Sequence, residues 1–246
     1  MTNNTVTAAL VIIGDEILSG RTKDQNLNFL AQGLSEIGIN LREVRVVPDI
    51  ENEIIDAVNV VRKKFDYIFT SGGIGPTHDD ITSLSIAKVF NDDLIKNKEA
   101  ADILLQYYGE GNVNEARMKM AFVPSKAKLL DNPVSSAPGF RIENVFVMAG
   151  VPKIFQAMFA AAKKELIGGK KTQMKEILIS LTESVIAADF SNLQTKYPQV
   201  SMGSYPFEGG TSLVFRSIDY AALDESVSKM IELLERIKTN SIIKVT

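Results

Sequence analysis

The sequence contains no cysteine. Disulfides, thiolate nucleophiles and cysteine-ligated zinc are therefore excluded, and the composition fits a reducing compartment. An excess of charge of one sign is also absent, because 27 basic residues stand against 30 acidic ones and give a net charge of −3. Without a basic field we expect neither nucleic acid nor an acidic membrane surface as a partner.

Long apolar runs are missing as well. No stretch reaches the ~18 apolar residues that a membrane-spanning helix needs. The N-terminal segment MTNNTVTAALVIIG has no basic region before its short apolar run, so a signal peptide is not expected. We predict a cytoplasmic protein with no membrane partner.

The first part of the chain alternates between strand and helix patterns. Residues 8–14, AALVIIG, form a continuous apolar run that is typical of a buried parallel strand. Leu27, Leu30, Leu34 and Ile37 then recur at helical spacing. The segments INLREVRVV and DYIFTSGG predict two further strands on either side of a second helix. This alternation predicts an α/β domain with a mostly parallel sheet.

A linker-like segment, IGGKKTQ at residues 167–173, follows this domain. Beyond it the patterns occur in the order β-α-β-β-α, which predicts a small α+β domain of ordinary size. We place the first domain at residues 1–168 and the second at residues 169–246.

The segment SGGIGPTHDD, at residues 71–80, follows the third predicted strand and precedes a helix. Open α/β sheets bind ligands at this edge, and glycine turns there offer backbone N–H groups to anions. The segment has neither the lysine of a Walker A loop nor a G-x-G-x-x-G pattern. Its alternative role is structural, with Thr77 capping the helix and Asp80 returning the bond. We expect His78 to face solvent.

Carboxylates follow the other two strands. Asp15 comes directly after the first strand in GDEILSGRTKDQN, and Asp49 comes after the second in VVPDIEN. Loops after adjacent parallel strands converge, so these acids are expected to meet the glycine turn. The alternative for Asp49, and for Asp24 in the first loop, is to cap the helix that follows.

Four segments, GDEILSGRTKDQN, TSGGIGPTHDDIT, NPVSSAPGF and AGVPKIFQAM, occur in an order and spacing that resemble the molybdopterin-binding (MoaB/MogA-like) domain family. The similarity is to the branch found at the N-terminus of competence/damage-inducible (CinA) proteins and beside eukaryotic FAD synthases, and it covers residues 6–165. LTESVIAADFSNLQTKYPQVSMGSYP resembles the KH-like domain that follows in CinA proteins. The resemblance implies a three-layer αβα fold, a homo-oligomer and a small nucleotide or pterin ligand.

In function, the resemblance implies metal-dependent cleavage of a nucleotide pyrophosphate such as ADP-ribose or FAD. A molybdopterin-binding or molybdopterin-adenylylating protein is one alternative. A binding-only module is another, because Ser135-Ser136 stand where the family usually has Gly-Thr and Met148-Ala149 where Leu-Pro is common, and the acid common after that segment is absent.

The residue roles follow from the matched positions. Asp80, Asp49 and Asp15 are the expected catalytic residues, and Asp80 and Asp15 are the expected ligands of Mg²⁺ or another divalent ion. The residues expected to bind the nucleotide or molybdopterin are Gly14, Ser71, Gly72, Gly73, Gly75, Thr77, Asn132, Pro138 and Gly139.

Overall fold

The computed structural model describes residues 5–246, apart from the side chain of Glu110. Residues 1–4, which form part of the segment examined for a signal peptide, lie outside this range. None of the helices described is both long enough and apolar enough to cross a membrane. The chain divides between Gly169 and Lys170 into two compact units.

The elements of the first unit are, in chain order, β1 (Val6–Ile13), α1 (Asp15–Leu18), α2 (Asn26–Ser35), β2 (Ile39–Val47), α3 (Glu51–Arg62), β3 (Tyr67–Ser71), α4 (Thr82–Val89), β4 (Leu94–Lys96), α5 (Lys98–Tyr108), α6 (Glu115–Lys119), β5 (Phe122–Pro124), β6 (Lys128–Leu130), β7 (Gly139–Ile142), β8 (Val145–Met148) and α7 (Pro152–Ala162). Short 3₁₀ turns follow α5 and α7.

The main sheet has the strand order β2-β1-β3-β8-β7-β6. β2, β1, β3 and β8 are parallel, and β7 and β6 continue the sheet in antiparallel fashion. The chain runs from β1 to β2 on one side and then to β3 on the other side of β1. Such a reversal of direction opens a crevice at the carboxyl ends of the strands.

Helices cover both faces of this sheet because β1 is apolar on both faces. Ala9, Val11 and Ile13 pack with residues of α3 and α4. The alternate residues Leu10 and Ile12 pack with α2 and α7 on the opposite face. This two-residue alternation produces the three-layer αβα arrangement, as predicted from the sequence.

An excursion from the main sheet, formed by residues 94–124, lies between α4 and β6. It pairs β4 with β5 and contains α5 and α6. Ala100, Ala101, Leu104 and Ala121 form a small hydrophobic cluster of their own there. The sequence predicted the two helices but neither short strand.

The second unit contains β9 (Gln173–Ile179), α8 (Glu183–Lys196), β10 (Ser201–Phe207), β11 (Gly210–Ser217), α9 (Tyr220–Ile237) and β12 (Ile242–Val245). Its sheet is antiparallel, with the order β10-β11-β9-β12. Ile177, Leu213, Phe215, Leu223 and Met230 are among the buried residues that join its sheet to its helices. The predicted order β-α-β-β-α is confirmed, and β12 is the element that the sequence patterns did not reveal.

Phe69 of β3 provides a test of the first core. It is fully buried, stacks on Phe146 with ring centroids 5.3 Å apart and meets the edge of Phe159 at 5.9 Å. We expect Phe69→Ala to lower the free energy of unfolding of the first unit by about 3–5 kcal/mol, because it leaves a large cavity. Denaturant unfolding measures this. Tyr107→Ala, at an aromatic side chain that is 52% exposed, is the control and should cost less than ~1 kcal/mol.

Candidate functional site

A pocket of about 500 Å³ lies at the carboxyl edge of the main sheet. Loops that follow β1, β2, β3 and β8 form its walls, and Met120 of the excursion closes part of it. The structure brings several predicted site residues together in its lining: Gly14, Asp49, Gly72, Gly73, Gly75, Asp80 and Asn132.

The turn after β3 requires glycine at two consecutive positions. Gly72 and Gly73 have φ values of 115° and 69°, which side chains rarely tolerate. A Cβ on Gly72 would come within 2.1 Å of the Ile13 carbonyl oxygen, and one on Gly73 within 2.1 Å of Thr82 Oγ1. The β1 and β3 loops are therefore packed backbone against backbone.

Thr82 fixes this turn to the following helix. Its N–H donates to the Gly73 carbonyl at 2.9 Å, and its buried hydroxyl donates to the Gly72 carbonyl at 3.0 Å. The sequence reading did not identify Thr82 as a site residue. Its signal was a threonine in the first turn of the predicted helix.

The prediction that Thr77 caps α4 is wrong. That helix begins at Thr82, and its N-cap position is Ile81 without a side-chain bond. The reason is that Thr77 is used earlier, in the turn itself. Asp80 Oδ2 accepts the Thr77 N–H at 2.8 Å and also the Thr77 hydroxyl, so the pair closes the turn that lines the pocket. His78 is exposed, as predicted.

Asn26 holds three loops together beneath the pocket. Its side-chain amide donates to Ser71 Oγ and to the Gly150 carbonyl, both at 2.8 Å, and its buried Oδ1 has no partner among the described residues. Ser71 is correspondingly buried and does not line the pocket. The sequence pattern did not identify Asn26, because its burial is a tertiary effect.

Asp49 faces the pocket and does not cap α3. The N-cap of that helix is Ile50, without a side-chain bond, because Asp49 Oδ2 accepts the Asp15 N–H at 3.0 Å. Burial raises the pKa of Asp49, and the charges of Glu16, Asp15 and Asp79 raise it further against the opposing hydrogen bond from Asp15. Asp24 accepts the Leu27 N–H at 2.8 Å in the first turn of α2, but the N-cap position of that helix is Gln25 and Asp24 precedes it.

The pocket is acidic. Among the described residues, four carboxylates line it, those of Glu16, Asp49, Asp79 and Asp80, and no lysine, arginine or histidine does. The Thr77 side chain lowers the pKa of Asp79. An anionic ligand would therefore meet negative side chains beside the N–H groups of the glycine turn.

The described residues contain no group of three or more His, Cys, Asp or Glu side chains that could hold a metal ion. Their oxygen donors nevertheless fit Mg²⁺ in its usual mode, in which one or two carboxylates bind the ion together with water and ligand phosphates. Asp80 lines the pocket, whereas the exposed side chain of Asp15 does not.

The remaining predicted residues support the loops. Asn132 donates to Ser135 Oγ at 2.7 Å and to the Ala137 carbonyl at 2.8 Å, which shapes the loop before β7. Pro138 and Gly139 are buried outside the pocket lining. A Cβ on Gly139 would come within 2.6 Å of the Val147 carbonyl oxygen, so this glycine permits close strand packing.

Comparison with known proteins agrees with this fold. Residues 9–168 match the model of the probable molybdopterin binding domain, and the chain belongs to this family. Residues 171–243 match the middle domain of FAD synthase. A crystal structure of the protein CinA from Thermoplasma acidophilum, described as having unknown function, aligns with a TM-score of 0.62 and 34% identity over 66% of this chain and 98% of that one.

Relatives in sequence cover both units. A protein of Archaeoglobus fulgidus is 31% identical over 92% of this chain and 96% of its own length. One from Pyrobaculum calidifontis is 30% identical over 96% and 99%, respectively. A probable FAD synthase of Caenorhabditis elegans is 33% identical over 81% of this chain, which spans only 44% of that longer protein.

The glycine turn can be tested by substitution. We expect Gly72→Ala to destabilise the first unit by about 3–5 kcal/mol, because the backbone strain adds to a collision with the Ile13 carbonyl. Gly20→Ala is the matched control, since Gly20 has a φ of 73° but no atom within 4 Å of an added Cβ. It should cost about 1 kcal/mol, the strain alone. Equal unfolding midpoints for the two variants would contradict this explanation.

The raised pKa of Asp49 predicts a pH-dependent effect of Asp49→Asn. Because the folded-state pKa lies above the ordinary value of 3.8, folding takes up protons between that pH and the folded pKa. Stability contributed by this group is therefore lost as pH rises through the folded pKa. Asparagine lacks this cost, so we expect the variant to melt above the wild type at pH 7 and close to it near pH 4. Asp56→Asn, at an exposed residue of α3, should show no such dependence.

Proposed function

We propose that this pocket binds a nucleotide diphosphate of the ADP-ribose or FAD type and hydrolyses its pyrophosphate bond with the help of a divalent cation. The observation that carries the proposal is the pocket lining, in which the glycine turn after β3 lies among four acidic side chains of the described residues and no basic ones. Phosphates can approach such a set of acids when a cation is shared between them. The FAD synthase relatives and the matched middle domain support a flavin or adenine nucleotide.

The reaction would consume one water molecule. Water attacks one phosphorus, the bond from that phosphorus to the bridging oxygen breaks, and two monophosphates result. Asp49 would orient the water and accept its proton, a role that suits a carboxylate with a raised pKa. The N–H groups of the glycine turn would bind phosphate oxygens, and Asp80, fixed by Thr77, would supply an oxygen ligand. The cation would neutralise phosphate charge when bound.

The apolar part of the lining favours a ligand with a flat ring. Ile74, Met120, Ile154 and Met158 line the same pocket as the acids, and such side chains commonly contact planar heterocycles. This feature fits adenine or flavin. It fits molybdopterin equally, so molybdopterin binding or adenylylation is the second candidate, supported by the family to which the first domain belongs.

The proposal predicts a metal-dependent release of AMP. The protein is incubated with FAD or ADP-ribose in Mg²⁺ or in EDTA, and the products are separated by chromatography. We expect AMP only with the metal, and a kcat about 10²-fold lower for Asp49→Asn and for Asp80→Asn. Asp56→Asn, an exposed acid on α3, is the matched control and should keep full activity.

Other outcomes would replace the proposal. Binding of the nucleotide without any product, in either metal condition, would favour the binding-only module. Transfer of AMP from ATP to molybdopterin would favour the adenylylating alternative. Turnover that Asp49→Asn and Asp80→Asn leave unchanged would remove these two residues from the mechanism.

A further inference from the structure

Lys119 lies at the edge of the acidic pocket, at the end of α6 in the excursion. Its ammonium group donates a hydrogen bond to the carbonyl of Thr77, in the turn that carries Asp79 and Asp80. The next residue along the chain, Met120, lines the pocket. The excursion thus places a half-buried cation beside the loop that follows β3.

The charge of Lys119 has no ion-pair partner in the described part of the chain. The bond to Thr77 is to a neutral carbonyl, and the ion pairs formed by the other residues do not include this lysine. An ammonium group has three donors, and the hydrogen bonds described for Lys119 use one of them.

We propose that Lys119 binds a phosphate of the ligand and makes the pocket selective for diphosphates over uncharged nucleosides. This inference rests on the proposed function, because it assigns a residue to the same pocket. Lysine has a flexible four-carbon side chain that carries a compact charge, so its ammonium can bind phosphate oxygens that enter beside the glycine turn. A nucleoside has no phosphate and gains nothing from this charge.

Lys153 is a second lysine close to the pocket, next to the lining residues Pro152 and Ile154. Its side chain is exposed, whereas that of Lys119 is half-buried and donates to the Thr77 carbonyl. Lys153 therefore offers a control that removes one positive charge close to the site without removing the hydrogen bond to the glycine-turn loop.

The test is calorimetric titration of the full chain with ADP-ribose and, separately, with adenosine, in Mg²⁺ and in EDTA. The proteins are the wild type, Lys119→Gln, Lys119→Arg and Lys153→Gln, and thermal melts check that each is folded. We expect Lys119→Gln to weaken ADP-ribose binding by about tenfold to a hundredfold, as for a lost hydrogen bond between charged groups. Adenosine binding should be unchanged, Lys119→Arg should retain most of the affinity, and Lys153→Gln should match the wild type.

The outcomes separate this inference from the function on which it rests. If the wild type binds ADP-ribose and Lys119→Gln binds it equally well, the role of Lys119 is overturned while the proposed ligand stands. If Lys119→Gln loses adenosine and ADP-ribose alike, the residue supports the pocket and does not select phosphate, which also overturns the inference. If the wild type binds no diphosphate, the proposed function fails and the inference fails with it.

Discussion

The close approach of the β1 and β3 loops determines the geometry of the site. Gly72 lies against the backbone of Ile13 with no room for a Cβ, and Gly150 approaches Gly72 so closely that its own added Cβ would come within 3.3 Å of the Gly72 Cα. Loops from β1, β3 and β8 thus meet at glycine positions. The amide of Asn26 joins two of them with hydrogen bonds. Backbone N–H groups can be presented to a ligand here because no side chains separate the loops.

The close approach of the loops also concentrates negative charge in the pocket. Glu16 and Asp49 follow β1 and β2, and Asp79 and Asp80 follow β3, so the convergence that forms the pocket brings their carboxylates together. The pKa of Asp49 rises for this reason, in addition to its burial. Such an arrangement costs stability in the free protein. A cluster of acids suits a site whose ligand binds together with a cation or contacts a basic side chain. Lys119 lies at the edge of this pocket.

The sequence predicted the parts of the fold that depend on periodicity. The apolar runs of β1 and β3 and the helical spacing of α2 and α3 are local patterns, and each predicted element is present. The short strands β4, β5, β6 and β7 were missed, because three or four residues are too few to show a period. Loop convergence was predictable from strand order, and so Asp49 and the glycine turn were found.

The sequence could not predict the hydrogen-bond partners of individual side chains. Thr77 and Asp80 were correctly paired, but the helix begins at Thr82 because the turn is longer than a capping box allows. The side chains of Asn26 and Lys119 form hydrogen bonds with residues 42 or more positions away. The Thr82 hydroxyl donates to the Gly72 carbonyl in the turn. Such contacts exist only in the folded chain. The predicted homo-oligomer and cytoplasmic location remain predictions.

The departures from the expected family pattern bear on the choice between the proposed hydrolase and a binding-only module. Met148 stands where the family has leucine and is fully buried in the core between the sheet and α7, a position where the two side chains exchange at small cost. Ala149 lines the pocket, and its N–H donates to Met158 Sδ at 3.4 Å, a bond that the usual proline could not make. Ser135 adds a hydroxyl to the lining, but Asn132 holds it within the loop. These substitutions leave the acids and the glycine turn in place, so they give no physical reason to prefer a binding-only module.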